Sequence, residues 1–236
     1  MKTVRAVAPP STALARAKEK AKQTVCLSDA RQLSMGVMLY AEEHDDTLPP
    51  STDYSASTTL PERIWTMKVL PYVQSRAVFT CPSARNSNFP SNWTDRGLGS
   101  IGYTTATAYD PQSVEGFPTP ARISMIESPT LTPLFGDTVS GATPQRYRGY
   151  VFDPYNGQPN TLDPRLGTPL ISDHDLVSEM SSLPPPALKP LHARHSCRVT
   201  LIFAEGHAQS YSAESILSQD KGAYLFWRFR PWPPTP

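Results

Sequence analysis

Three of the five histidines of this 236-residue chain lie in one short stretch near its C-terminal end. The stretch HARHSCRVTLIFAEGHA holds His192 and His195 before an apolar run, and Glu205 and His207 after it. Imidazole nitrogens and carboxylate oxygens bind first-row metals and also act in acid–base catalysis. These four residues are therefore candidate metal ligands, and His195 and Glu205 are also candidate catalytic residues.

The apolar run between them predicts a strand, which limits how the four residues can converge. A seven-residue strand separates its ends by about 20–25 Å, so His195 and Glu205 cannot meet across a straight one. His192 with His195, and Glu205 with His207, are thus two half-sites that another segment must complete. The stretch SDHDL supplies the candidate completing ligands, which are Asp173, His174 and Asp175.

Three interpretations of this histidine-rich stretch stay open. His195 and Glu205 could make hydrogen bonds that hold a hairpin and its neighbouring loops, they could bind a divalent metal (Zn, Mn or Ca), or they could act directly in catalysis. The acidic run Glu42–Asp46 could likewise bind calcium or form a solvated helix end. The sequence has no G-x-S-x-G, H-E-x-x-H or phosphate-binding glycine motif, so none of these indicates an enzyme.

The composition excludes several classes of protein. The 26 prolines are spread along the chain and exclude a helical bundle, because each fixes φ and removes a backbone donor. With 22 Lys and Arg against 21 Asp and Glu, no nucleic-acid partner is expected, since phosphate binding needs an excess of cations. No window has the length of a membrane span, and MKTVRAVAPPST does not have the pattern of a signal peptide. No membrane insertion is expected of the sequence as written.

The pattern of elements predicts an α+β fold. A long helix is predicted over residues 13–44, with Cys26, Ala30, Leu33, Val37 and Tyr40 as its buried stripe. SIGYTTATAY, TLTPLFGDTV, AVFTCPSA and RVTLIFAEGHAQSYS predict short strands of an antiparallel sheet, the last as a hairpin turning at Glu-Gly-His. The predicted organisation is a disordered N-terminus (1–12), one domain (13–230, with sheet and loops over 45–230) and a proline-rich tail (231–236).

The helix and the histidine-rich stretch together resemble a known family. ALARAKEKAKQTVCLSDARQLSMGVMLYAEEHDDTLP resembles type II secretion G-like pseudopilins, and more narrowly the prepilin-type family of Planctomycetes and Verrucomicrobia. That family carries a C-terminal motif of His, nine residues, then Asp-Gly. Here His195 is followed by nine residues and then Glu205-Gly206, with Glu in place of Asp. FTCPSA and IWTMKVLPYV also resemble the middle of that family.

The resemblance implies a pilin-like fold and a structural role. Members begin with a prepilin peptide and a hydrophobic anchoring helix, whereas MKTVRAVAPPST stands in that place here. The leading expectation is a pseudopilin-like assembly protein that packs with like subunits, as a homo-oligomer, or with secretion-pilus components. The family implies a periplasmic or cell-surface location, and the sequence as written implies a cytoplasmic one. The alternative is a soluble metal-dependent hydrolase of esters or phosphoesters built on the same scaffold.

Two structural expectations concern the helix. Its buried stripe should place Cys26 against the segment that ends at Cys81, close enough for a disulfide, and Cys197 should remain an unpaired buried thiol. The first turns, Ala13–Lys22, should make few contacts with the body, because their apolar residues are mostly alanine and because this stretch leads to the membrane in the resembled family.

Overall fold

A computed structural model describes residues 13–84, 87–112, 117–140, 149–154, 169, 171–172, 189, 191–218 and 225–227. Within these ranges the helices are α1 (Ala13–Glu43), α2 (Trp65–Val69) and α3 (Ala213–Ser218). The strands are β1 (Ile101–Thr104), β2 (Pro133–Asp137), β3 (Val151–Phe152), β4 (Ile171–Ser172), β5 (Leu191–His192), β6 (Arg198–Phe203) and β7 (Ala208–Ser212). The predicted α+β class is confirmed.

The main sheet has the strand order β3-β1-β2-β6-β7, and β4 pairs with β5 in a separate two-stranded sheet. The main sheet is mixed, because β3 runs parallel to β1. The prediction of a wholly antiparallel sheet is therefore wrong. The topology explains this difference. Since β1 and β2 are antiparallel, a chain that leaves β2 and turns back along the far side of β1 must run parallel to β1.

The β6–β7 hairpin has the predicted position and turn. Ile202 pairs with Ala208, and the backbone N–H of Gly206 donates to the carbonyl of Phe203. Gly206 has a φ of 97°, the left-handed region that glycine adopts without strain. The predicted hairpin is therefore confirmed. Its register determines which residues lie directly before and after β6.

The sheet is covered on both faces, so β6, which lies between β2 and β7, is almost fully buried. Ile202 of β6 packs in the larger core cluster with α1, whereas Leu201 and Phe203 pack in a second cluster with α3 and Trp227. This alternation follows from the two-residue period of a strand. Two layers of apolar side chains therefore hold β6, and the polar residues just before it, in one place.

One face of α1 packs into the larger cluster much as predicted. Cys26, Ala30, Leu33 and Val37 are buried, and Ala41 continues the stripe in place of Tyr40, which is half-buried. Tyr40 instead stacks on His44, with ring centroids 3.8 Å apart. Among the described residues, α1 included, no helix combines the length and hydropathy required to cross a bilayer.

The segment before Cys81 differs from the prediction. AVFTCPSA was expected to be a strand, but residues Arg76–Phe79 form a 3-10 helix. The Ser75 side chain accepts a hydrogen bond from the backbone N–H of Ala77 and so caps this turn. The local capping bond outweighs the strand propensity of Val78 and Phe79.

Two of the three cysteines form a disulfide and the third is free. Cys26 of α1 and Cys81 form a disulfide with Cα atoms 5.4 Å apart, as predicted. Cys197 is free, as predicted, but it is exposed and not buried. The reason is the turn before β6, where Ser196 and Cys197 both have positive φ and leave the strand direction.

We expect the disulfide to stabilise the fold substantially, because it closes a loop with a sequence separation of 55. The loop-entropy relation gives about 4 kcal/mol for a loop of this size. Urea unfolding of the oxidised protein, compared with Cys26→Ala/Cys81→Ala, measures the difference. Cys197→Ser is the matched control and should unfold like the wild type. Equal unfolding free energies for the oxidised protein and the double variant would contradict this role.

Candidate functional site

His195 lies at the centre of a buried polar cluster beside the disulfide. Its side chain is about 1% exposed. The ring nitrogen Nδ1 is 3.0 Å from Oε1 of Glu19, and Nε2 is 3.4 Å from Sγ of Cys81. Nε2 is also 3.9 Å from Oδ2 of Asp137. The imidazole thus bridges a carboxylate on α1 to the disulfide and to a carboxylate on the sheet.

Asp137 is the last residue of β2 and is buried despite its charge. Its Oδ2 accepts a hydrogen bond of 2.9 Å from the backbone N–H of Thr200 in the neighbouring strand β6. Its Oδ1 lies 3.8 Å from Nη1 of Arg194, and Nη2 of that guanidinium donates to the carbonyl of Thr138 at 2.8 Å. A buried carboxylate needs such partners, since an unpaired buried charge is strongly destabilising.

Glu19 attaches the early part of α1 to the body. Ser83 Oγ donates to its Oε1 at 2.9 Å, in addition to the contact with His195. Partial burial raises the pKa of Glu19, but the hydrogen bonds with His195 and Ser83, together with the electrostatic attraction of His195 and Lys22, lower it more, so this pKa lies below its usual value. The expectation that Ala13–Lys22 makes few contacts is therefore wrong at Glu19, although Leu14 is exposed as expected.

Four separate elements bring this cluster together. Cys26 and Glu19 come from one side of α1, and Cys81 is held by a 2.8 Å hydrogen bond from its backbone N–H to Oγ of Ser100. The turn between β5 and β6 carries His195, whose backbone N–H donates to the carbonyl of Arg198. The sheet, through β2, supplies the aspartate. The cluster therefore exists only when helix, loop and sheet are assembled.

The other half of the predicted site lies at the far end of β6. Nδ1 of His207 is 2.6 Å from Oε1 of Glu205, and both side chains are partly exposed in the hairpin turn. The His207 ring also stacks on Phe203, with centroids 4.2 Å apart. The structure thus brings Glu205 and His207 together but places His195 before the strand and this pair after it.

The remaining candidate residues occupy other positions. His192 is buried in β5, where it pairs with Ser172 of β4. Asp173, His174 and Asp175 lie outside the described residues. At the end of α1, Oδ2 of Asp46 accepts a hydrogen bond from the backbone N–H of Ser124, so the acidic run Glu42–Asp46 contacts a loop of the body.

Sequence reasoning missed Asp137 and Glu19. Asp137 follows the apolar residues PLFG, so a carboxylate at the end of a buried strand was a signal that could have been used. Glu19 lies in the run RAKEKAK, which is typical of a solvated helix face, and nothing in that run marks one carboxylate as a partner of a distant histidine. Only the three-dimensional packing identifies it.

The donor set of the cluster defines the chemistry it can perform. Ligand atoms of Cys26, Cys81, Asp137 and His195 all lie within 4.8 Å of one another, the one such group among the described residues. While the two sulfurs are bonded, they are not thiolates and cannot act as metal ligands. In this oxidised state the cluster is a cross-link surrounded by charged hydrogen bonds.

Comparison of the chain with known protein families, with curated proteins and with solved structures finds no significant match. No activity, substrate or partner can therefore be transferred from a relative. The function has to be inferred from the exposed surface of α1 and from the buried cluster around His195.

We expect Glu19→Ala to destabilise the protein by about 1–2 kcal/mol, because it removes the acceptor for two side-chain hydrogen bonds. Thermal or urea unfolding monitored by circular dichroism measures the loss. Glu42→Ala is the matched control, since Glu42 is an exposed glutamate on the same helix, and it should change stability by less than about 0.5 kcal/mol. Equal effects of the two substitutions would show that the Glu19 contacts contribute nothing.

Proposed function

We propose that this chain is a pseudopilin-like assembly subunit, in which α1 packs against like subunits or against components of a type II secretion or type IV pilus-like system. The observation that supports the proposal most is an exposed apolar face on α1. The large apolar side chains of this face, with their exposed fractions, are Leu14 (79%), Val25 (48%), Met35 (66%) and Leu39 (46%).

These exposed residues form a single stripe. At about 100° per residue, the four fall within an arc of about 80°, on the side of the helix roughly opposite the buried stripe. The intervening positions of the same arc are all uncharged and exposed, and they are Ala17, Ala21, Ser28 and Gln32. A helix that is apolar on two opposite faces has a second surface for packing beyond its own core.

The cross-link between α1 and the body supports the same role. In an assembly built through one helix, force on that helix must reach the rest of the subunit. The disulfide and the Glu19–His195 contact join the helix covalently and electrostatically to the loop and to the turn before β6. The arrangement of a long helix across a mixed sheet also agrees with the pilin-like fold implied by the sequence resemblance.

The disulfide favours an oxidising location for this proposed role. Structural disulfides persist in the periplasm and on cell surfaces and are rare in reducing cytosol. A periplasmic or cell-surface location agrees with a secretion or pilus-like assembly.

The hydrolase alternative has weaker support. It would require His192, His195, Glu205 and His207 to converge on one ion. His195 and the Glu205–His207 pair lie at opposite ends of β6, which are about 20 Å apart for a strand of this length. We therefore base the proposed function on the helix surface.

The exposed stripe makes the proposal testable by self-association. We expect the protein to associate with a concentration dependence measurable by sedimentation equilibrium, and Met35→Glu/Leu39→Glu to weaken association about tenfold or more, because a charge must be desolvated at the contact. Thr58→Glu places one such negative charge on an exposed loop and should leave association unchanged. Circular dichroism should show that all three proteins are equally folded.

Two results would contradict the role of the stripe. One is that the wild type stays monomeric at the highest soluble concentration and that a Met35→Cys variant also fails to cross-link to a second copy. The other is a double variant that associates as strongly as the Thr58→Glu control.

A further inference from the structure

We infer that Cys26, Cys81, Asp137 and His195 form a zinc site when the disulfide is reduced. The inference goes beyond the assembly role and is independent of it, because these residues are buried whereas the exposed stripe lies on the other side of α1. The structure itself is of the oxidised protein.

The spacing of the donor atoms matches a tetrahedral zinc site. Zinc binds thiolate sulfur at about 2.3 Å and imidazole nitrogen or carboxylate oxygen at about 2.0–2.2 Å, so the ligand atoms stand about 3.3–3.8 Å apart. Nε2 of His195 lies 3.4 Å from Sγ of Cys81 and 3.9 Å from Oδ2 of Asp137. After reduction, the two sulfurs need only separate to about 3.8 Å to complete the set.

The orientation of the His195 ring also indicates a ligand. Its Nδ1–H is directed to the Glu19 carboxylate at 3.0 Å, so in the neutral ring the lone pair of Nε2 faces the sulfurs and Asp137. Neither neighbour of Nε2 can donate to it, because a disulfide sulfur has no hydrogen and Oδ2 of Asp137 is an acceptor. A carboxylate that orients a histidine toward a central cation is the usual outer contact of a zinc ligand.

The charges around the cluster suit a divalent cation. Two thiolates and one carboxylate carry three negative charges against the two positive charges of Zn²⁺. Arg194, whose guanidinium is 3.8 Å from Asp137, offsets the remaining negative charge in this buried position. The sulfur and nitrogen donors favour zinc over calcium or magnesium, which prefer sites made of oxygen atoms.

The chemical step that opens the site is a reduction followed by metal binding. A dithiol reductant supplies two electrons and two protons, the Cys26–Cys81 bond breaks to two thiols, and the reductant becomes a disulfide. Zn²⁺ then replaces the two thiol protons, which pass to solvent. The same junction between α1 and the body is therefore closed by a sulfur–sulfur bond in one state and by zinc in the other.

The test uses the full chain carrying Cys197→Ser, which removes the exposed thiol. After reduction with dithiothreitol and its removal without oxygen, Co²⁺ and then Zn²⁺ are added while absorbance and circular dichroism are recorded. We expect one Co²⁺ to bind per chain with thiolate-to-cobalt charge-transfer absorption, and Zn²⁺ to displace it and raise the melting temperature. The oxidised protein should show neither effect.

Matched variants separate this site from binding by the cysteines alone. His195→Ala and Asp137→Asn keep both thiols and should lose about 100-fold or more in zinc affinity, and Glu19→Gln about 10–100-fold as an outer contact. Glu205→Gln and His207→Ala lie at the far end of β6 and should bind zinc like the wild type.

Several results would overturn the inference. They are the absence of charge-transfer absorption in the reduced protein, equal metal binding by the oxidised protein, and unchanged zinc affinity in both His195→Ala and Asp137→Asn. If reduction unfolds the chain, zinc must restore its circular dichroism spectrum, and failure to do so would equally reject the site. Self-association measured on the oxidised protein is unaffected by any of these outcomes, so the assembly proposal stands or falls separately.

Discussion

The attachment of α1 to the sheet is the constraint on which the rest of the structure depends. The helix runs from Ala13 to Glu43, and its buried stripe supplies one wall of the larger core cluster. Helices of this length gain most of their stability from packing and little from propensity. Trp65 completes the wall between helix and sheet, and its indole N–H donates to the carbonyl of Tyr150, so its polar atom is satisfied inside an apolar layer. Because the Cys26–Cys81 bond and Glu19 hold the helix on that wall, the turn that carries His195 has a fixed surface to pack against.

The buried charged and polar groups at this junction each have a partner from a different element. Asp137 is compensated by Arg194 and by a backbone donor of β6, and His195 has Glu19 as its partner. Removing any one partner would leave another charged or polar group buried alone, which costs more than the pair contributes. Such a network specifies one arrangement of helix, sheet and turn, whereas apolar packing alone tolerates small shifts.

Local patterns predicted those parts of the fold that are governed by local rules. The buried stripe of α1 and the β6–β7 hairpin follow from helical and strand periods and from a glycine at the turn. The parallel β3 and the 3-10 helix before Cys81 were missed, because one depends on pairing between segments that are distant in the sequence and the other on a single serine cap. The cluster was half predicted: His195 was a candidate, but its partner at position 19 is brought to it by the packing of α1 and its partner at position 137 by the place of β2 in the sheet, and no short window contains either. Glu205 and His207 form a separate pair after β6, as the length of the predicted strand indicated.

The position of the disulfide in the chain also affects the order in which parts of the protein can fold. Both cysteines belong to the first 81 residues, and the first strand of the sheet begins only at Ile101. When the chain enters an oxidising compartment from its N-terminal side, the ring can therefore be closed while the strands have yet to emerge. A helix that is already bonded to its loop provides a formed surface on which the sheet can pack. The long-range pairing of β2 with β6 then requires a search over fewer chain conformations.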